Sequence, residues 1–290
     1  MLVVATLICT PWAHAQKVAD ATASKHSLWK VQGQQNTLYL LGSIHVLKKE
    51  DYPLPSVIES AFTNSQVAVF ETDVDQMDKP ELAMKLAAKG KLPEGQTLSG
   101  QLSPAVYSAF KAYAEKTGVP VMIFDSLTPS IAAITLVALE LRKLDLDPEY
   151  GLDKHFFDLA KQAGKKIVPL ETVDFQFNLL TDFTKEEGEL LMKSTLKDID
   201  TMEKDLGEML GAWKNGDATK LEKLLNQAKD DAPAIYKRLV TDRNQTWLPR
   251  LEELAKGKEN VIVIVGAGHL VGTNGVVELM KGKGFKVTQE

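Results

Sequence analysis

The chain has 290 residues, is 44% apolar and 25% charged, and carries a formal charge of −5 with a pI near 5.7. These proportions suit a globular protein with one sizeable core, and they lack the basic stripe of a phosphate-backbone binder, so no nucleic-acid partner is expected. The single cysteine, Cys9, rules out an intrachain disulfide.

Residues Met1 to Gln16 read MLVVATLICTPWAHAQ. An apolar stretch from Leu2 to Cys9, Pro11 and the small-x-small pattern Ala13-His14-Ala15 resemble a secretory signal over residues 1–15, although the usual basic start is missing. Cleavage after Ala15 would export the protein, to the periplasm in a bacterium, and would remove Cys9. A metal in the remaining chain would then be held by imidazole and carboxylate alone. No later apolar run approaches the roughly 20 residues that span a bilayer, so residues 16–290 are expected to form one domain without a membrane span.

The next segments alternate between short apolar runs and helical patterns. LWKVQ (28–32) and TLYLL (37–41) suit a hairpin across Gly33 to Asn36. QVAVF (66–70), PVMIF (120–124), KKIVPL (165–170) and NVIVIV (260–265) read as buried strands, being short and bounded by breakers. FKVTQ (285–289) is more polar and reads as an edge strand. Continuously apolar strands suit a parallel sheet covered on both faces. Ser103-Pro104 opens a helix that stops at Gly118, and Thr128-Pro129 opens a very apolar one whose stretch 131–141 suits a core or a dimer face. Thr184 with Glu187 makes a capping box, and Asp217 opens a further helix. The fold expected is α/β: a mixed, mostly parallel central sheet flanked by helices, with a helical lid or insert over about 176–256.

Each expected strand is followed by chemistry. Gly42-Ser43-Ile44-His45 follows LYLL, Glu71 follows VAVF, Asp125 follows VMIF, Glu171 follows IVPL, and Gly266-Ala267-Gly268-His269 follows IVIV. Ligands of open α/β sheets bind beyond the carboxyl ends of the strands, where these groups would gather. One strand-end Glu or His is more often a loop residue satisfied by water or backbone; the paired Gly-x-x-His stretches point to a site. A glycine three residues before each histidine would let the chain turn sharply and approach closely, so that the imidazole is aimed back over the strand end. Two imidazoles and two carboxylates can hold zinc, manganese or cobalt, and can equally act as base and acid toward water. His155 reads as a helix-surface residue, Asp153 as a helix cap that could point into the crevice, and His14 and His26 carry no role. Arg243, in RNQTW, suits either a salt bridge beside a packing Trp or a clamp on a carboxylate or oxyanion.

LWKVQ…LYLLGSIHVL, VFETD, EYGLDKHFFDLAKQAGKKIVPLET with Gln176 following, AWKNGD, RNQTW and VIVIVGAGHLVGTNGVVELMKGKGF together resemble the TraB/GumN family, which includes the TIKI metalloproteases. The resemblance runs from about Leu28 to the C-terminus. It implies an α/β core related to the erythromycin-esterase and ChaN-like proteins. It also implies a site of His45, Glu71, Glu171, Arg243 and His269, in which His45, Glu71, Glu171 and His269 hold a divalent ion. The leading expectation is an exported metal-dependent hydrolase, a peptidase, acting on a peptide or small molecule with Mn, Co or Zn. The alternatives are a metal-independent His/Glu esterase-like hydrolase and a non-catalytic ligand- or peptide-binding protein.

Overall fold

The structure, a computed structural model, describes residues 25–77 and 79–290. The leader read at 1–15 lies outside the described residues. Six strands are present: β1 (Leu28–Gln32), β2 (Thr37–Ser43), β3 (Val67–Phe70), β4 (Lys166–Pro169), β5 (Val261–Gly266) and β6 (Lys286–Gln289). They form one sheet in the order β4-β3-β5-β2-β1-β6. The first four strands of that order run parallel. β1 returns antiparallel to β2 as the expected hairpin, Leu28 facing Leu41 and Gln32 facing Thr37, and β6 adds antiparallel to β1.

Burial explains the strand sequences. Every residue of β3 and β5 is buried, so VAVF and VIVIV show no alternation. β1 and β6 lie on one side of the sheet and keep alternate residues such as Lys30, Gln32, Lys286 and Thr288 in water.

The run at 120–124 is not a strand. Residues Val121–Ile123 form a single 3-10 turn, Met122 is 76% exposed, and Phe124 is fully buried edge-on to Phe110 at 5.2 Å. Pro120 offers no N–H to a ladder, and the apolar content of this run serves a helical core. Asp125 is therefore not at a strand end; its carbonyl accepts the Leu98 N–H at 2.9 Å.

That helical core is a second apolar cluster beside the one around the sheet. Helices Pro104–Thr117, Pro129–Lys143 and Lys185–Asp198 supply most of it through Phe110, Ala133, Leu136 and Met192. The apolar stretch 131–141 is thus core: Ala132, Leu136 and Val137 are buried. Helix Asp242–Ala255 leaves this layer and packs on the sheet cluster through Trp247, Leu248 and Leu251. Among the described residues no helix is long and apolar enough to cross a membrane.

Candidate active site

The two Gly-x-x-His stretches end adjacent parallel strands. Gly42 pairs with Val265 and Ser43 with Gly266, so the motifs lie side by side and one residue out of step. Neither glycine has a positive φ. What each provides is the expected close approach, without a left-handed turn. A Cβ on Gly266 would stand 3.3 Å from Glu71 Oε1, 3.4 Å from His45 Nε2 and 3.6 Å from His269 Cδ2, so any side chain there would wedge into the site. Trp213 of the AWKNGD stretch donates its indole N–H to the Gly42 carbonyl at 2.7 Å and pins the end of β2.

The neighbouring strands deliver the acids. Glu71 follows β3 and accepts the Gly266 N–H through Oε1 at 2.8 Å. Glu171 follows β4, and its N–H donates to the Glu71 carbonyl at 2.8 Å, beside the Leu170 N–H on the Phe70 carbonyl at 2.9 Å, so the two chains stay paired past the strand ends.

Arg243 enters from helix Asp242–Ala255 and sits buried between these acids. Its Nε donates to Glu171 Oε1 at 2.9 Å, and Nη2 donates to Glu171 Oε2 at 2.8 Å and Glu71 Oε2 at 2.5 Å. Nη1 donates to His269 Nε2 at 3.0 Å and to the Leu239 carbonyl at 3.1 Å. Leu239 belongs to a π-helical turn, Lys237–Thr241, immediately before the arginine; such turns widen the backbone hydrogen-bond pattern, often at functional sites. A guanidinium has five N–H bonds, and all five are used. Arg243 is therefore the clamp on the two carboxylates and has no donor left for a substrate oxyanion.

The remaining partners complete the cluster. Gln176 Nε2 donates to Glu71 Oε2 at 3.3 Å and Glu171 Oε2 at 3.1 Å, and Trp247 Nε1 donates to Glu171 Oε1 at 2.8 Å. Asn244 Nδ2 donates to the carbonyls of His269 and Asn274, which turns its Oδ1 toward His269 Nδ1 at 2.7 Å. His269 is thereby a neutral ring with its proton on Nδ1 and its lone pair on Nε2. Burial pushes its pKa down to about 3. Burial alone would raise Glu71, but the charge of Arg243, the two imidazoles and the Gly266 N–H outweigh it and hold the carboxyl well below the usual range.

His45 differs from this sealed cluster, since its side chain is 45% exposed. Nδ1 donates to Asp153 Oδ2 at 2.7 Å, and Asp153 Oδ1 accepts from Ser43 Oγ at 2.8 Å. The Asp153 charge raises the imidazole to about 9 against the opposing effect of burial. Asp153 lies in the first turn of helix Leu152–Gln162, bolted to the His45 loop by Leu152 N–H on the Ile44 carbonyl at 3.0 Å. Gly151 makes that approach possible: a Cβ there would stand 2.2 Å from the His45 carbonyl oxygen.

His45, Glu71, Glu171, Arg243 and His269 thus gather at one place. Asp125 does not. His155 is half-buried rather than on the helix surface, with Tyr52 at 4.8 Å and Phe156 at 5.0 Å between ring centroids, and takes no part in the site. Sequence reasoning assigned no role to Ser43, Gln176 or Asn244 and gave Trp247 only a packing one. Trp247 follows Arg243 by four residues, so the shared helix face was the available signal.

The side chains as arranged do not fit the divalent ion that the family resemblance implies. Three of the four carboxylate oxygens and the Nε2 lone pair of His269 are bonded to Arg243, and an ion among them would share a buried space with a guanidinium that stays protonated. Among the described residues no three His, Cys, Asp or Glu form a group that could hold a metal ion.

The TraB/PrgY/gumN family profile matches residues 27–289. The chain belongs to this family. It is 26% identical to the uncharacterized protein YbaP of Escherichia coli strain K12, over 84% of this chain and 87% of that protein. It is 18% identical to an uncharacterized protein of Treponema pallidum, over 94% of this chain and 85% of the other. A 60-residue stretch is 38% identical to the uncharacterized protein MJ1365 of Methanocaldococcus jannaschii and covers 21% of this chain and 14% of that one. No solved structure matches the chain significantly.

Proposed function

We propose that this protein is a hydrolase that adds water to an acyl carbon, in a peptide or ester bond, with His45 moving the proton. One observation carries the reading. After the cluster's hydrogen bonds are assigned, and once the His45 ring is neutral, two lone pairs remain uncommitted beside the space Gly266 keeps open: His45 Nε2 and the second lone pair of Glu71 Oε1. Both oxygens of Glu171 are filled by Arg243, Trp247 and Gln176.

A water donating to Glu71 Oε1 is held for attack, and His45 Nε2 takes its other proton as the oxygen bonds to the acyl carbon. Asp153 keeps the ring's other nitrogen protonated and stabilises the imidazolium that forms, as in other His–Asp pairs. When the C–N or C–O bond breaks, the same proton passes to the leaving nitrogen or oxygen. Glu71, held ionised, orients the water and does not accept its proton. Arg243 keeps Glu71 and Glu171 fixed.

The test is turnover of p-nitrophenyl esters and fluorogenic peptides by purified protein in a chelator. Turnover is expected, and His45→Ala should lower it by about 10²- to 10⁴-fold, the usual worth of a positioned base. A folded His45→Ala protein that turns over as fast as the wild type sinks the reading. We also propose that the protein acts outside the cytoplasm, on the strength of the leader pattern in residues 1–15. N-terminal sequencing of the cellular protein should begin at Gln16, and a chain still starting at Met1 would remove this second proposal.

A further inference from the structure

We infer that Arg243 is the resident cation of this centre, occupying the place among Glu71, Glu171 and His269 that a divalent ion would otherwise take, so that the wild-type site is complete without a metal. The inference goes beyond the proposed hydrolase reading and rests on it only for the catalytic consequence.

Three observations carry it. The first is the saturation of the guanidinium: five N–H groups meet five acceptors, of which Glu71 Oε2, Glu171 Oε1, Glu171 Oε2 and His269 Nε2 are the atoms a metal would need. The second is how the imidazole is set. Asn244 Oδ1 accepts the hydrogen bond from His269 Nδ1–H, so the Nε2 lone pair points inward, as it would toward a metal, but it meets Arg243 Nη1. The third is how firmly the arginine is held. Its ring-facing side lies over the Trp247 indole at 4.9 Å, the Leu239 carbonyl takes one N–H from the π-turn, and the side chain is 8% exposed. This is a built position and not a surface side chain that swings in when an ion leaves.

The consequence is that the arginine holds these acceptors apart and committed, and that without it they are free to close on an ion. With Arg243 gone, two buried carboxylates and an inward lone pair are left without their guanidinium, and they make up the hard, mixed oxygen and nitrogen set that manganese, cobalt and zinc take. A lysine would keep the charge but lose the planar fork that reaches both acids and the imidazole at once.

The test reads ion binding and needs no substrate, so it stands or falls separately from acyl hydrolysis. Wild-type protein is passed over a chelating resin, then titrated calorimetrically with MnCl2, CoCl2 and ZnCl2, and the protein as first purified is analysed for metal content. The expected result is no stoichiometric metal and no saturable equivalent in the wild type. Arg243→Ala should gain one saturable equivalent at least tenfold tighter than any wild-type heat, and Glu171→Gln in that background should abolish it. One tight equivalent in the wild type, lost in Glu71→Gln or His269→Ala, overturns the inference. So does a folded Arg243→Ala protein, checked by circular dichroism, that binds none of the three ions. If Arg243→Ala does not fold, the wild-type titration decides alone.

Discussion

Gly266 lies opposite Ser43, and not opposite Gly42, in the parallel pairing of β5 with β2. The two histidine stretches therefore enter the crevice one residue out of step, and the two rings end in different environments. His269 is buried against Trp247 at 4.5 Å between ring centroids, while His45 stays open to solvent beside Asp153. A matched pair of motifs has become one fixed lone pair and one titratable ring.

The titratable ring makes a pH prediction. His45 must be neutral to take a proton from water, and Asp153 raises its pKa to about 9, so turnover should rise with pH along a limb near that value. Asp153→Asn should move the limb to lower pH, because the charge favouring the imidazolium is gone, and should cost roughly 10- to 10²-fold at the plateau. Proton NMR titration of the His45 ring checks the shift without a substrate. A ring that titrates at its ordinary value in both proteins contradicts the assignment.

Stability should depend on pH in opposite senses through the two histidines. His269 is depressed to about 3 from an ordinary 6.5, so its contribution is full above pH 6.5 and is lost as pH falls from 6.5 toward 3. The slope approaches about 1.4 kcal/mol per pH unit for one proton. Glu71, also held low, adds to the loss below the ordinary carboxylate range. His45 is raised, so its contribution is present below 6.5 and fades as pH climbs through 9, weakly because the ring is half exposed. Urea midpoints measured from pH 3 to 10 should be highest near pH 6 to 7, and His269→Asn should flatten the acid side.

Trp247→Phe removes the indole N–H from Glu171 Oε1 and leaves the ring stacking largely intact. A buried carboxylate that loses one donor should cost about 1–3 kcal/mol in unfolding free energy. Chemical denaturation measures it. A loss below about 0.5 kcal/mol would show that water replaces the indole and that Glu171 is less sealed than described.

The run at 120–124 offers a contrast within three residues. Phe124→Ala empties a fully buried position against Phe110 and should cost about 3–5 kcal/mol. Met122→Ser changes a side chain that is 76% exposed and should stay within about 0.5 kcal/mol. Equal losses at the two positions would restore the strand reading.

The sheet was legible because parallel burial leaves a plain mark. VAVF and VIVIV carry no polar residue, and the residue or motif after each is where the chain turns polar. The same rule misread PVMIF, since five apolar residues have one appearance whether they fill a sheet or a turn under a helical layer. Glu71, Glu171, His45 and His269 could be located because strand ends place them by topology. Gln176, Asn244 and Ser43 could not, because their roles are second contacts that depend on side-chain angles across elements. Arg243 was visible as a candidate, but its five partners come from four separate stretches of chain, so its saturation is a property of the assembled site alone.

The position of β5 between β3 and β2 has a consequence for biosynthesis. A nascent chain that has made β1 to β4 holds two half-sheets with a strand-wide gap between them, and the missing strand arrives only with residues 261–266. Until then Glu71 lacks the Gly266 amide, and His45 faces no second imidazole. A polypeptide interrupted anywhere before β5 lacks both that amide and His269, so any hydrolytic power would be confined to molecules whose synthesis has run almost to completion.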